Sequence, residues 1–321
     1  MIAVIGGAGM LVKVRMIPQE EEYDKPMMGG DVFDYESLNV AAKVARGDDV
    51  VIESNGSAFN IACALASMGK DVAFASVTAN DAMGLAVIEQ LKMAGVDPTN
   101  VKVIEGATPV QVEMLNVLND PQMVFGNSKL YESLTPEMID GWDELFSEAE
   151  AIVIDGSLPK GTLEYITEKY SAKGSKMFFD PAGYAGAVNS RELLGSFYCV
   201  MPGRAEAEAM LRKTVLSADQ LMEAGAVLDE KGVKRTIITI KGGGLYYKEG
   251  ASEGIIAPER VLSFAGTSGA GDVVSAAVVV ADLEGKSIEE VGSFAMQKAA
   301  EFLAGRSDER LIDILNEKGD N

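Results

Sequence analysis

GTSGAGD, residues 266–272, places three glycines within six residues and follows them with an aspartate. The run behind it, Val273 to Ala281, is almost wholly Val and Ala and predicts a buried helix. The glycines therefore fall at a helix N-terminus, and Asp272 falls in its first turn. N–H groups at such an end have no partner inside the helix, and the macrodipole adds partial positive charge there. Two readings are open. In one, the backbone of Gly269, Ala270 and Gly271 stabilises charge on a transferred phosphoryl group while Asp272 takes a proton from an attacking hydroxyl. In the other, the glycines only permit close packing and Asp272 only suits the dipole.

The chain has no histidine, which removes Ser-His-Asp and Cys-His catalysis and His-ligated zinc. Two cysteines are too few for a four-thiolate zinc site. Any general base is therefore a carboxylate, a lysine, a tyrosine or an amine. Several common phosphate and nucleophile signatures also fail. GGAG at 6–9 lacks the third glycine of a dinucleotide fingerprint and runs into a strand-like segment, not a helix. No Walker A sequence occurs, and Ala270 breaks a G-x-S-x-G elbow.

Three further stretches carry candidate groups. ITIKGGGLYY (238–247) reads as strand, glycine turn and strand: Thr239 with Gly242 and Gly244 wraps a nucleotide, or the segment is a plain hairpin. PGRAEAE (202–208) puts Glu206 near a helix start, where it holds magnesium through water or lies on a solvated face. ESNGSAFNIA (53–62) puts Asn55, Gly56 and Asn60 at a turn-to-helix junction, as hydroxyl-binding amides or as a helix cap.

The elements that must position these groups alternate. IAVI (2–5), DVAFASVT (71–78), AIVID (151–155), KMFFD (176–180), FYCVM (197–201) and RTIITI (235–240) read as strands. Helical patterns at 57–69, 81–95, 161–173, 204–212, 217–231, 287–304 and 307–317 separate or follow them. Such alternation predicts a mostly parallel sheet covered on both faces. Segments 11–17 and 101–126 break the pattern, being β-rich without helices, and are expected to form a small antiparallel sheet placed as a lid. The acidic, turn-rich stretch at 20–36 reads as an exposed loop.

With 321 residues, 47% hydrophobic and 24% charged, the chain is an ordinary globular protein by composition. Its net charge of −21 disfavours nucleic acid and anionic membranes as partners. No stretch reaches the roughly 20 apolar residues of a membrane span, and MIAVIGGAGM lacks the basic region of a secretory signal. Cys63 and Cys199 are expected to be free thiols of a cytoplasmic protein.

Taken in order, NGSAFNIACALASMGKDVAFASVTANDAMG, FFDPA, PGRAEAE, TIKGGG and GTSGAGD resemble the motifs of the ribokinase-like, PfkB-type sugar and nucleoside kinases. GTSGAGD is similar to the family signature D-T-x-G-A-G-D. The stretch through SLTPEMID to FFDPA is nearest to pseudouridine-kinase-like members. The resemblance spans nearly all of residues 1–321 and implies a single domain, a three-layer α/β/α body with a small β-sheet lid. It also implies ATP and Mg²⁺, with a monovalent cation such as K⁺ alongside, and a sugar or nucleoside acceptor. Residue by residue, Asp272 matches the base and Gly269, Ala270 and Gly271 the anion hole. Glu206 matches the magnesium acid, and Thr239, Lys241, Gly242, Gly244 and Ser268 the nucleotide site. Gly9, Leu11, Asn55, Gly56 and Asn60 match substrate-side positions. A homodimer through the lid is part of the same expectation.

The departures from the family pattern are substantial. Gly9 and Leu11 stand where the family carries an Asn-x-Asp pair, and Asn55-Gly56 stands for Gly-Gly. Gly203, Gly266 and Lys241 replace an asparagine, an aspartate and a glycine. Leu11 offers no hydrogen bond, so the expected acceptor presents an apolar face there. The alternative is a kinase-derived binding or regulatory protein with little turnover.

Overall fold

Ile2–Ile5 is an unbroken apolar run, and all four residues are wholly buried because both faces of their strand are covered. The computed structural model describes residues 1–16, 47–116, 121–240, 242, 244–258 and 269–304. The expected helix at 307–317, the loop at 20–36, Gly266, Ser268 and Lys241 lie outside these residues.

The strands are β1 (Ile2–Ile5), β2 (Gly9–Met16), β3 (Gly47–Asn55), β4 (Val72–Ala79), β5 (Val101–Ile104), β6 (Val110–Leu115) and β7 (Pro121–Gly126). They continue as β8 (Ala151–Asp155), β9 (Met177–Asp180), β10 (Cys199–Val200), β11 (Arg235–Ile240), β12 (Gly244–Glu249) and β13 (Ser252–Ile256). One sheet runs in the order β13-β12-β11-β10-β9-β8-β1-β4-β5. From β11 to β5 every neighbouring pair is parallel. The β12–β13 hairpin adds an antiparallel edge.

Helices cover both faces. On one side α1 (Ser57–Ser67), α2 (Ala82–Met93), α9 (Ala270–Leu283) and α10 (Ile288–Ala304) pack on Ile2, Val4, Phe74 and Phe178. On the other, α3 (Pro136–Gly141), α4 (Asp143–Glu148), α5 (Lys160–Ser171), α6 (Tyr184–Asn189), α7 (Arg204–Leu211) and α8 (Ala218–Glu230) pack on Ala3, Ile5, Ile154 and Phe179. The two clusters are the two sides of one three-layer body, as the alternation predicts. Cys63 is partly buried, Cys199 is buried, and both are free.

A second, four-stranded sheet has the order β3-β2-β6-β7. Here β2 pairs antiparallel with β3 and parallel with β6, and β6 pairs antiparallel with β7. Three details differ from the sequence reading. The small sheet, expected to be antiparallel, has one parallel pair at its centre, β2 with β6. Val101–Ile104, expected in the lid, is the edge strand of the large sheet, pairing parallel with β4. The helix α2 before it makes a β–α–β unit, and the chain returns to the small sheet only after residue 109. Gly47–Asn55 was expected only as a junction at its end, but forms a lid strand whose alternation the paired aspartates at its start obscure.

β1 and β2 are separated only by residues 6–8, so the chain passes directly from the large sheet to the small one. The C-terminal ends of β1, β8 and β9 and the N-termini of α1, α7 and α9 meet near this crossing. In open α/β sheets the crevice outside the strand C-termini is where ligands bind.

Candidate active site

Helix α9 starts at Gly269, whose φ of 88° is left-handed and suits glycine. Residues behind it are buried continuously from Val273 to Asp282, which fixes the helix against the core. Its first turn opens onto a cavity of about 280 Å³. Gly271 lines that cavity, and the space where its Cβ would lie is open. The N-terminus of α9 therefore faces room for a ligand.

Asp272 turns its side chain toward α1, far from its own position in sequence. The Ser57 hydroxyl donates to Oδ1 at 2.7 Å, and the Asn60 amide donates to Oδ2 at 2.7 Å. Asn60 also donates to Asn55 Oδ1 at 2.9 Å. Burial and then the charge of Asp180 push the Asp272 carboxyl up to about 8, against the lowering effect of the two hydrogen bonds. An aspartate that merely decorated a helix dipole would not be clamped by two side chains of another helix.

Two more carboxyls line the same cavity, Asp180 and Glu206. Asp180, at the end of β9, accepts from the Ser275 hydroxyl at 2.6 Å and the Ala182 N–H at 2.9 Å. Burial raises its pKa. Glu206 accepts from the Gly183 N–H at 2.5 Å and the Gly203 N–H at 2.6 Å, so it caps the start of α7 as well as facing the cavity. Burial, then Asp180, pushes it up to about 7. Among the described residues the lining holds these three carboxyls and no Lys or Arg. A hydrated divalent cation fits such a donor set, since Mg²⁺ keeps several waters and takes one or two carboxylates. Among the described residues no cluster of three or more His, Cys, Asp or Glu encloses a metal.

Of the nucleotide-side candidates, Thr239 lines the cavity and its N–H bonds the Pro202 carbonyl at 3.0 Å, beside Gly203. Gly242 lies exposed at the β11–β12 turn. A side chain at Gly244 would run into the Ile256 carbonyl, so packing of β13 already accounts for that glycine. Lys241 and Ser268 lie outside the described residues.

The substrate-side candidates divide. Asn55 and Asn60 line the cavity at the start of α9 and also a neighbouring one of about 1050 Å³ that runs along α1. Gly56, with φ 134°, approaches the Gly7 carbonyl too closely for any side chain. Gly9 is pressed against the Pro109 carbonyl in the same manner. Leu11 has no exposed surface and lines neither cavity. Expected at the acceptor, it packs inside instead, because an apolar side chain on a central lid strand gains most by leaving water.

Ser57, Asp180, Ser275 and Asp155 escaped the sequence reading as site residues. A signal for the aspartates was present: AIVID and KMFFD both end in Asp, at the strand ends where ligands bind. Asp155 is buried, and burial pushes it up to about 6 despite its hydrogen bonds to Ser157 and Ala58.

Known proteins share this arrangement of elements. Pseudouridine kinase of Escherichia coli (strain K12) is 23% identical over 265 residues, covering 82% of this chain and 83% of that one. Guanosine-inosine kinase of Exiguobacterium acetylicum is 25% identical over 276 residues, covering 84% and 89%. The solved structure of Arabidopsis thaliana ribokinase complexed with ribose and ATP superposes with a TM-score of 0.74 at 21% identity, covering 93% of this chain and 90% of that one. The model of the pfkB family carbohydrate kinase matches residues 27–309. With the clamped aspartate at a glycine-rich helix start, the match over most of its length means that this chain belongs to the pfkB family of carbohydrate kinases.

Proposed function

We propose that this protein is an ATP-dependent, magnesium-requiring kinase that phosphorylates a hydroxyl of a sugar or nucleoside-like small molecule. The observation that carries the reading is the Asp272 carboxylate, held by Ser57 and Asn60 at the start of α9. It shares one cavity with Asp180 and Glu206.

Asp272 accepts the proton of the acceptor hydroxyl as that oxygen attacks the γ-phosphorus of ATP. The new P–O bond forms as the bond from the γ-phosphorus to the bridging oxygen breaks, and ADP leaves. Backbone N–H groups of Gly269, Ala270 and Gly271 stabilise the charge on the transferred group. Magnesium, when bound, neutralises charge on the phosphates, and Glu206 with Asp180 would hold its water shell. Asn55 and Asn60 orient the acceptor next to the base, and Thr239 contacts the donor side. K⁺ dependence belongs to the same proposal and is read by exchanging K⁺ for Na⁺.

The small sheet supports a homodimer. Val12 is in register with Ile52 and Val112, and Val112 with Phe125, so these apolar residues share a face on which Ile52 and Phe125 remain more than half exposed. A second copy burying that face would also cover the exposed strand edges, and light scattering at assay concentration tests it. No helix among the described residues is long and apolar enough to cross a membrane. Two free thiols fit a cytoplasmic location.

The deciding experiment is phosphoryl transfer from MgATP across a panel of sugars and nucleosides. Turnover of at least one acceptor by the wild type, reduced by about 10²- to 10⁴-fold in Asp272→Asn, is the expected result. MgATP binding with no turnover on any acceptor would favour a binding or regulatory protein instead.

A further inference from the structure

Helix α1 lacks a local cap. Its N-cap residue is Gly56, which has no side chain to accept from the first-turn N–H groups. The missing acceptor comes from another part of the chain. Asp155, at the end of β8 and 1% exposed, accepts from the Ala58 N–H at 2.8 Å through Oδ2. The same oxygen accepts from the Gly7 N–H at 3.3 Å. Oδ1 accepts from the Ser157 N–H at 2.8 Å and from the Ser157 hydroxyl. One carboxyl thus ties together the β1–β2 crossing, the first turn of α1 and the turn after β8. A side chain at Gly6 would run into it, so the neighbouring backbone is shaped around this group.

The turn that Asp155 anchors is the turn that holds the base. Ser57 precedes Ala58 directly, Asn60 follows two residues later, and these two supply both hydrogen bonds to the Asp272 carboxyl. Asp155 itself lines neither cavity. We infer that Asp155 is a positioning residue: it caps α1 from a distant strand and thereby sets Ser57 and Asn60 around Asp272. Asparagine has one oxygen where Asp155 uses two to accept backbone N–H groups, so Asn leaves at least one of these donors facing an NH₂ and is a weaker substitute. The kinetic consequence rests on the kinase reading above, whereas the capping role does not.

The test uses the full chain with Asp155→Asn, Ser57→Ala, the double variant, and Phe146→Leu as a destabilised control. Phe146 is wholly buried on the opposite side of the large sheet, away from both cavities. Hydrogen exchange of the Ala58 amide, which needs no turnover, should quicken at least about tenfold in Asp155→Asn, the size of losing one modest hydrogen bond. In the same variant kcat should fall by about 10- to 100-fold, the scale of a small misplacement of a catalytic group, with the KM for MgATP changing less. Loss of Ser57 should matter less in the Asp155→Asn background than in the wild type, because both changes loosen one clamp. Unchanged Ala58 exchange, strictly additive effects on kcat, or a kcat loss no larger than that of Phe146→Leu would each overturn the inference. Should Asp155→Asn not fold, Asp155→Ser leaves the Ala58 N–H without its carboxylate and is measured in its place. A wild type that turns over no acceptor sinks the kinase reading, and Ala58 exchange then decides the cap alone.

Discussion

Exchanging Asp272 for Asn separates proton transfer from architecture, because the two carboxyl oxygens have different partners. Oδ1 takes the Ser57 hydroxyl and Oδ2 the Asn60 amide. An asparagine keeps both bonds by presenting its carbonyl to Asn60 and its NH₂ to Ser57, whose hydroxyl turns to accept. Shape, burial and clamp survive, and only the proton acceptor disappears. General base catalysis is worth about 10²- to 10⁴-fold, so kcat should fall by that factor, about 2.7–5.4 kcal/mol of barrier. The KM for MgATP should move by less than about threefold, since the variant removes an interaction of the transition state rather than of binding.

The pH profile adds a second readout. Wild-type kcat should rise with pH as Asp272 loses its proton. Without a cation its carboxyl is held at about 8, by burial first and Asp180 second. A magnesium ion beside Asp180 and Glu206 brings opposite charge, so the rising limb should fall below that value in the MgATP complex. Asp272→Asn should lose the limb. The assay is initial ADP formation in a coupled system, with ATP and acceptor varied separately across pH 5.5–9, a range of roughly three decades in proton activity around the carboxyl. A variant with near wild-type kcat, or one that keeps the same limb, would remove Asp272 from proton transfer.

Glu206→Gln should raise the magnesium concentration for half-maximal rate and also destabilise the fold by about 1–3 kcal/mol, because one of the Gly183 and Gly203 N–H groups then faces an NH₂. Overlaying magnesium titrations and urea curves would reduce it to an inert carboxyl. For the protein without nucleotide, Asp155, Glu206 and Asp272 sit at about 6, 7 and 8, above their unfolded values. They favour the fold while protonated, so stability should decline as pH rises from 5 to 8.5, a trend that thermal melts at fixed ionic strength would contradict by staying flat. Leu11→Asp should cost more than about 3 kcal/mol, as an unpaired charge in a wholly buried position, and should not create ribose kinase activity. A folded Leu11→Asp with improved kcat/KM on ribose would return that residue to the acceptor site.

What was readable in the sequence was what is local. Val273 to Ala281 announces α9 by composition, and GTSGAGD marks its start, so the helix that carries the proposed base could be placed from a dozen residues. β1, β8, β9 and β11 are buried on both faces and read as apolar runs for that reason. What escaped depends on pairs far apart in the chain. Asn60 looked like part of a helix start or a hydroxyl binder, and nothing near it says that it holds a carboxylate 212 residues away. Val101–Ile104 alternates like its lid neighbours, and only its partner β4 assigns it to the large sheet.

Leu11 is the instructive case. Its place in a motif pointed to the acceptor, but motif position records where a backbone runs and not which face a side chain takes. On a strand, one residue's shift in register or twist exchanges the two faces, and burial decides between them. Asp155 shows the converse, since no motif claimed it, while burial, charge and four hydrogen bonds from three segments give it a definite task. The groups proposed to react lie on helix ends, and helix ends are held from outside. The geometry of the candidate site is therefore written as much in the carboxylates closing β8 and β9 as in the glycines that open α9.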